Sequence, residues 1–302
     1  MKSLIFGASG QVGQALITEI EKRGWRWEGS CFEHGEVDPR LFKLDLADSD
    51  ACVRAVAERK PNAVFLPSGW TWVDGCEDDP KRAYRVNAET PEAIAKECKK
   101  LGAGLVFYST DYVFGEKGGP YTEQAATEPL GVYGASKLEG ERRVLAACPD
   151  ALVLRTNVVY GAEVQGKNFI YQLIRNLRAG KTMSLPKDQL SSPTYNRDLA
   201  RASVELVELA ERGIWNVAGS EVVDRVTFAA LACGVFGLDA GLLKPMLTAE
   251  MKQKARRPLA AGLLVEKLVK RLGWKPKGPL EGLQAMKWEI EANPRFGAGM
   301  GG

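Results

Sequence analysis

Leu4-Ile5-Phe6-Gly7-Ala8-Ser9-Gly10-Gln11-Val12-Gly13 is the stretch that decides the fold. A short apolar run meets three glycines spaced Gly-x-x-Gly-x-x-Gly and passes at once into an amphipathic segment, Val12 to Arg23. Strand, tight turn and helix in immediate succession are the setting in which a glycine-rich turn binds a dinucleotide. Glycines let the backbone turn sharply and approach a pyrophosphate, while unbonded amides and the positive end of the helix dipole stabilise the phosphate charge. Elsewhere in a chain such a triplet is only a turn. Here its position assigns Gly7, Ser9, Gly10, Gln11, Val12 and Gly13 to cofactor binding.

Outward from this turn, short apolar runs alternate with amphipathic stretches: Ala63 to Leu66 then Pro80 to Lys100, and Leu105 to Ser109 then Tyr133 to Ala147. Ala151 to Arg155 and Ile214 to Val217 add further strands. The rhythm predicts an α/β fold, a Rossmann-type doubly wound parallel sheet, with a smaller mixed α/β substrate lobe toward the C-terminus. We expect residues 1–160 to form the NAD(P)-binding domain, 193–218 to return to it, 161–192 and 219–292 to form the lobe, and 293–302 to be a flexible tail. Lys43-Leu44-Asp45-Leu46 reads as a strand ending in an acid. Asp45 then meets an adenine amino group and Leu46 covers the ring, the alternative being that Asp45 caps a turn.

The 302 residues carry 41 basic and 38 acidic side chains, a formal charge of +3, mixed along the chain rather than blocked. Neither a nucleic-acid nor a membrane partner is indicated, although a mildly basic pocket suits an anionic substrate. The six cysteines include no CxxC pair, which points to reduced thiols rather than a zinc site or disulfides. A single histidine, His34, excludes a His-based triad or a multi-histidine metal site. The opening Lys2-Ser3-Leu4-Ile5-Phe6 is too soon punctuated by glycine for a signal peptide, so a cytoplasmic location is expected.

Tyr133-Gly134-Ala135-Ser136-Lys137 places a phenol and an ammonium on one face of a helix. A free tyrosine titrates near 10 and is a poor acid–base at neutral pH, so the neighbouring cation is expected to stabilise the phenolate. Tyr-x-x-x-Lys alone occurs by chance in many helices. Its weight comes from the upstream strand that ends in Thr110-Asp111, because the carboxyl ends of parallel strands hold ligands and Thr110 can donate to a substrate carbonyl. Otherwise Thr110 and Asp111 cap a turn.

These residues together resemble the extended short-chain dehydrogenases, and among them the dTDP-4-dehydrorhamnose reductases. The carriers are residues 6–13, Tyr108-Ser109-Thr110-Asp111-Tyr112-Val113-Phe114, Pro129 through Glu141, Leu154-Arg155-Thr156, Ser192-Pro193-Thr194 with Arg197-Asp198-Leu199-Ala200, and Arg257-Pro258. The resemblance implies a nicotinamide cofactor, hydride delivery to a 4-keto group of a nucleotide-linked deoxysugar, and protonation by tyrosine. Thr110 would orient the ketone, Tyr133 act as acid, Lys137 hold the nicotinamide ribose, and Asn87 support the lysine. Pro67, Ser68 and Thr156 join the cofactor set, and Trp70, Trp72, Asp111, Tyr112, Asn168, Phe169 and Arg257 the substrate set. Pairing of two copies into a homodimer through the outer face of the Tyr133 helix is a further implication of the resemblance.

Two features depart from the pattern. The stretch after the fourth strand, Leu66-Pro67-Ser68-Gly69-Trp70-Thr71-Trp72, is crowded by tryptophans that read as pocket lining. In Glu28-Gly29-Ser30-Cys31-Phe32-Glu33-His34, Glu33 lies near the spacing of an acid that grips a ribose hydroxyl, while Ser30 stands where the family has an acid. NADP(H) is favoured over NAD(H) on family habit. A sugar-nucleotide epimerase or dehydratase is the rival enzyme, but Tyr112 replaces the acid that an elimination would use as base. A non-catalytic NADP-binding regulatory subunit, like the β subunit of methionine adenosyltransferase, is the rival from another class.

Overall fold

The computed structural model describes residues 1–297, apart from the side chain of Glu36. Strand β1 (Lys2–Ile5) leads through the glycine turn into α1 (Gln11–Lys22), then β2 (Arg26–Cys31), β3 (Leu41–Lys43), α2 (Ser49–Arg59) and β4 (Ala63–Leu66). Helices α3 (Val73–Asp78) and α4 (Pro80–Tyr84) run through a π-helical turn, Arg85–Glu89, into α5 (Thr90–Leu101). There follow β5 (Gly104–Thr110), α6 (Val132–Ala147), β6 (Leu152–Thr156), β7 (Val159–Tyr160), α7 (Phe169–Arg178), β8 (Met183–Pro186), β9 (Leu190–Ser191), β10 (Thr194–Tyr195) and α8 (Asn196–Glu208). The chain ends in β11 (Gly213–Asn216), β12 (Val223–Asp224), α9 (Arg225–Phe236), β13 (Leu243–Met246), α10 (Glu266–Leu272), α11 (Pro279–Ala292) and α12 (Pro294–Gly297).

Among the described residues, seven parallel strands form one sheet in the order β11-β6-β5-β4-β1-β2-β3. The near-continuous apolar runs of its central strands follow from burial on both faces. Side chains alternate across a strand, so Ile5, Phe65, Val106 and Leu154 enter the core on one face, while Leu4, Phe6, Val64, Leu66, Phe107 and Val153 enter that on the other. The doubly wound sheet expected from the sequence is therefore present. A third apolar cluster, built on Tyr160, Tyr171, Phe228, Leu283 and Met286, packs α7, α9 and α11 together beyond the sheet.

The sequence predicts one helix from Pro80 to Lys100; the structure divides it. Pro91 has no N–H to give the carbonyl of Asn87, and the ladder shifts to a π turn there. Asn87 is turned inward as a result, 1% exposed. Of the expected tail, Pro294–Gly297 forms α12, with Arg295 donating to the carbonyl of Val37 at 2.6 Å; residues 298–302 lie outside those described. Among the described residues no helix is long and apolar enough to cross a membrane, and the six cysteines are buried thiols outside any disulfide.

Candidate active site

A cleft of about 730 Å³ opens where the carboxyl ends of β1, β2, β4, β5 and β6 face residues 157–167 and Arg225. Its position is the one an open parallel sheet reserves for ligands. One end is the glycine turn. Gly7 has φ +78°, and a Cβ there would fall 2.0 Å from Ser68 Oγ. A Cβ on Gly13 would lie 2.4 Å from the Gly7 carbonyl, so this glycine lets α1 close onto the turn. No side chain caps α1 at Gly10, and the first amides of the helix remain available to an anion. This cradle fits a dinucleotide pyrophosphate on the chain's own geometry.

Of the expected cofactor set, Gly7, Ser9, Gly10, Gln11, Val12, Gly13, Asp45, Leu46, Pro67, Ser68, Tyr133, Lys137 and Thr156 all line the cleft. Asp45 also accepts from the Ala47 amide at 2.8 Å, so one of its oxygens closes a turn and the other remains for a ligand.

At the other end, Thr110 terminates β5 and Tyr133 and Lys137 descend from the first turns of α6. Gly134 makes this approach possible, because a Cβ there would lie 2.1 Å from the Tyr112 carbonyl. The Tyr133 ring meets Tyr112 edge-on with centroids 5.4 Å apart. Burial pushes the Tyr133 phenol above its ordinary range, with the Thr110 hydroxyl pulling it the other way. Burial also lowers Lys137 to about 7, against the pull of Glu141, and its ammonium sits 4.1 Å from the centre of the Phe107 ring. The sequence leads one to expect a lysine that lowers the tyrosine. In the structure desolvation dominates both groups and keeps the phenol protonated, which suits a proton donor.

Asn87 holds the loop after β4 to α6. Its Oδ1 accepts from the Trp70 amide at 2.9 Å, and its Nδ2 donates to the Trp70 carbonyl at 3.1 Å and to Ser136 Oγ at 3.0 Å. Its direct partners are thus a backbone and a serine beside Lys137. Asp111, fully buried, accepts from Asn157 Nδ2 at 2.6 Å, and burial raises it to about 6 against the hydrogen bonds from Asn157 and Thr110.

The substrate set is divided. Trp70, Asp111 and Tyr112 line the cleft, and Arg257 stands behind Tyr112, donating to its hydroxyl at 3.3 Å and to Asp74 at 3.0 Å. Trp72, expected in the lining, is absent from it: 65% exposed, it lies over Gly75, where a Cβ would meet its ring. Asn168 and Phe169 are absent too. Asn168 caps α7 by accepting from the Ile170 amide at 3.1 Å and donates to the Gly161 carbonyl, while Phe169 stacks on Phe228 at 5.9 Å within the third cluster. Their neighbour Lys167 reaches the cleft instead.

Sequence reasoning missed several residues that the fold brings here. Arg225 starts α9 and enters the cleft over the Phe169 ring at 4.9 Å; burial lowers its pKa, and Tyr112 and Asp111 oppose the shift. Arg82 lines the same space over the Trp70 ring at 4.9 Å. Asn157 follows directly on Leu154-Arg155-Thr156, a signal within reach; Arg225 lies in no motif. Among the described residues no three metal-ligating side chains cluster.

Comparison with known proteins agrees with this geometry. The RmlD substrate binding domain matches residues 1–291. The chain is 32% identical over 278 residues to a probable low-salt glycan biosynthesis reductase of Haloferax volcanii, covering 90% of this chain and 93% of that one. It is 36% identical over 261 residues to a dTDP-4-dehydrorhamnose reductase of Mycobacterium tuberculosis, covering 84% and 82%. It is 29% identical over 303 residues to the methionine adenosyltransferase 2 subunit beta of Xenopus tropicalis, covering 98% and 90%. The crystal structure of a dTDP-4-dehydrorhamnose reductase from Bacillus anthracis in complex with NADP superposes with a TM-score of 0.85 at 27% identity, over 95% of this chain and 99% of that one. The sheet, the glycine turn, the Tyr-x-x-x-Lys helix and these matches give one conclusion: this chain belongs to the RmlD substrate binding domain family.

Proposed function

We propose that this protein is an NAD(P)H-dependent reductase of a 4-keto group on a nucleotide-linked deoxysugar, with dTDP-4-dehydrorhamnose as the first substrate to try. The observation that carries the reading is one continuous cleft running from the glycine turn to Thr110, Tyr133 and Lys137. The reduced nicotinamide, when bound, supplies a hydride. The chain's own residues do the rest. The turn and the N-terminus of α1 hold the pyrophosphate, Lys137 holds the nicotinamide ribose, Thr110 donates to the ketone oxygen, and the protonated Tyr133 delivers the proton as that oxygen gains charge. Arg225, Arg257 and Arg82 give the far end a positive character suited to a sugar-linked diphosphate. NADP is the favoured cofactor because the Bacillus anthracis relative was crystallised with it.

On this reading residues 1–160 and 193–218 form the cofactor domain and residues 161–192 and 219–292 close over the sugar. A homodimer through α6 is the proposed assembly, and size measurement in solution tests it. Loss of reduced-cofactor absorbance with dTDP-4-dehydro-6-deoxy-L-mannose is the direct test of the activity. Oxidation with that sugar and none without it is the expected result. Tight cofactor binding with no oxidation across a panel of keto-sugar nucleotides would replace it by the regulatory-subunit reading, which the likeness to the Xenopus subunit favours.

A further inference from the structure

The loop between β7 and α7 is tied to the glycine turn from across the cleft. Gln165 Nε2 donates to the Ser9 carbonyl at 2.8 Å, and the Val164 amide donates to Gln14 Oε1 at 3.2 Å. Lys167 itself is held through its backbone, its amide donating to Glu163 Oε1 at 2.9 Å and its carbonyl accepting from Gln172 Nε2 at 2.7 Å. That leaves the side chain to extend over the end of β2, where Nζ lies 2.8 Å from His34 Nε2.

Both residues line the cleft beside Ser30, Cys31, Phe32, Glu33, Leu44, Asp45 and Leu46. In a dinucleotide fold this end of the second strand carries the adenosine ribose, and an acid here grips the ribose hydroxyls and repels a 2′-phosphate. Ser30 stands at the buried position, 3% exposed, and its Oγ accepts from the Gly7 amide at 3.2 Å, so its own proton is left to donate. The lysine ammonium has three donors and gives one to the imidazole, with two left for anionic oxygens. Glu33 is exposed at the rim and opposes an anion, but in high dielectric its effect is screened.

We propose that Lys167 and His34, with Ser30 beneath them, form the subsite for the 2′-phosphate of NADP, so that the choice between NADP and NAD depends on a residue contributed from across the cleft. The inference rests on the dinucleotide reading given above and deepens it. A phosphate between ammonium and imidazole gains charge-assisted hydrogen bonds from the lysine and replaces the lysine–imidazole contact.

Dissociation constants for NADPH and NADH, measured by isothermal titration on the full chain and on Lys167→Ala, Lys167→Arg and His34→Ala, test the proposal without any substrate. Lys167→Ala should weaken NADPH by roughly 10-fold or more and leave NADH within about 2-fold, the loss expected for one charge-assisted bond. Lys167→Arg should retain most of the preference, and His34→Ala should weaken NADPH in the same selective way. Because Lys167 is exposed, these variants are expected to fold; Lys167→Glu, which adds repulsion, should abolish the preference outright. Equal weakening of both cofactors would move Lys167 to the pyrophosphate and overturn the assignment, as would an unchanged NADPH-to-NADH ratio in both the alanine and glutamate variants. Equal affinity of the unaltered chain for both cofactors would remove the subsite while leaving the dinucleotide site intact. Failure of the unaltered chain to bind either would instead remove the dinucleotide reading on which the subsite rests.

Discussion

Two buried titratable groups, four residues apart on α6, are both pushed toward their neutral forms. Tyr133 is kept protonated and Lys137 is brought to about 7 by the same desolvation. Tyr133→Phe removes the proton donor with little change of shape, and turnover should fall by roughly 10²-fold or more while cofactor affinity stays nearly constant. Steady-state rates beside cofactor titrations check this, and unchanged turnover would take the phenol out of the mechanism. For Lys137 the sign follows from its lowered folded value. Between about 7 and its ordinary 10.5 the unfolded chain holds a proton that the folded one has released, so stability rises with pH through that window. Measured against Lys137→Met without cofactor, the chain should gain about 2 kcal/mol between roughly pH 7 and 9, at about 1.4 kcal/mol per unit. Denaturant midpoints at those two conditions decide it; a difference independent of pH would show that the ammonium is already solvated.

At the scale of elements, α6 approaches the π turn more closely than an ordinary side chain allows. A Cβ on Gly140 would lie 2.2 Å from the Asn87 carbonyl and 2.9 Å from the Phe107 ring, both of them backbone or packed core. Gly140→Ala should therefore push the helix outward, costing about 2 kcal/mol or more by overpacking and carrying Tyr133 away from Thr110. Thermal unfolding and turnover should fall together; an unaltered melting temperature would mean that the two helices slide apart freely. Beneath the same helix, Glu141 pairs with Arg155 at 2.7 Å, both nearly inaccessible, and also receives the Ser109 hydroxyl. Removing one partner leaves an uncompensated buried charge, and Glu141→Gln should cost about 3 kcal/mol, read from chemical denaturation.

For the molecule as a whole, the cleft is bounded on one side by sheet strands and on the other by residues 157–167 and the start of α9. Hydrogen bonds of Gln11 with Val159, Asn157 with Asp111, Gln165 with Ser9, Val164 with Gln14 and Lys167 with His34 cross it. A ligand filling this space should tie the two sides together. At a cofactor concentration of about 100 times its dissociation constant, stability should increase by roughly 2.7 kcal/mol through mass action, seen as a rise in melting temperature. Amide exchange in residues 161–168 should slow at the same time. A melting temperature indifferent to saturating cofactor would exclude this cleft as its site.

What was legible in the sequence is what local chemistry dictates. The glycine spacing after Phe6, the alternating runs, the Tyr-x-x-x-Lys pair and the strand ending at Thr110 each require a particular backbone geometry, and the doubly wound sheet and the floor of the cleft follow from them. The sequence also pointed to aromatic and polar residues for the substrate side of the cleft, but there adjacency in the chain misled. Trp72 follows Trp70 by two residues yet rests on Gly75, and Phe169 follows Lys167 by two yet packs inside the third cluster. The facing wall was decided only by tertiary structure. Arg225, Arg82 and Lys167 lie in no motif and gain meaning from what the fold sets opposite them. The protonation of Tyr133 and Lys137 belongs to the same category, because desolvation depends on everything packed around a group and not on its neighbours in sequence.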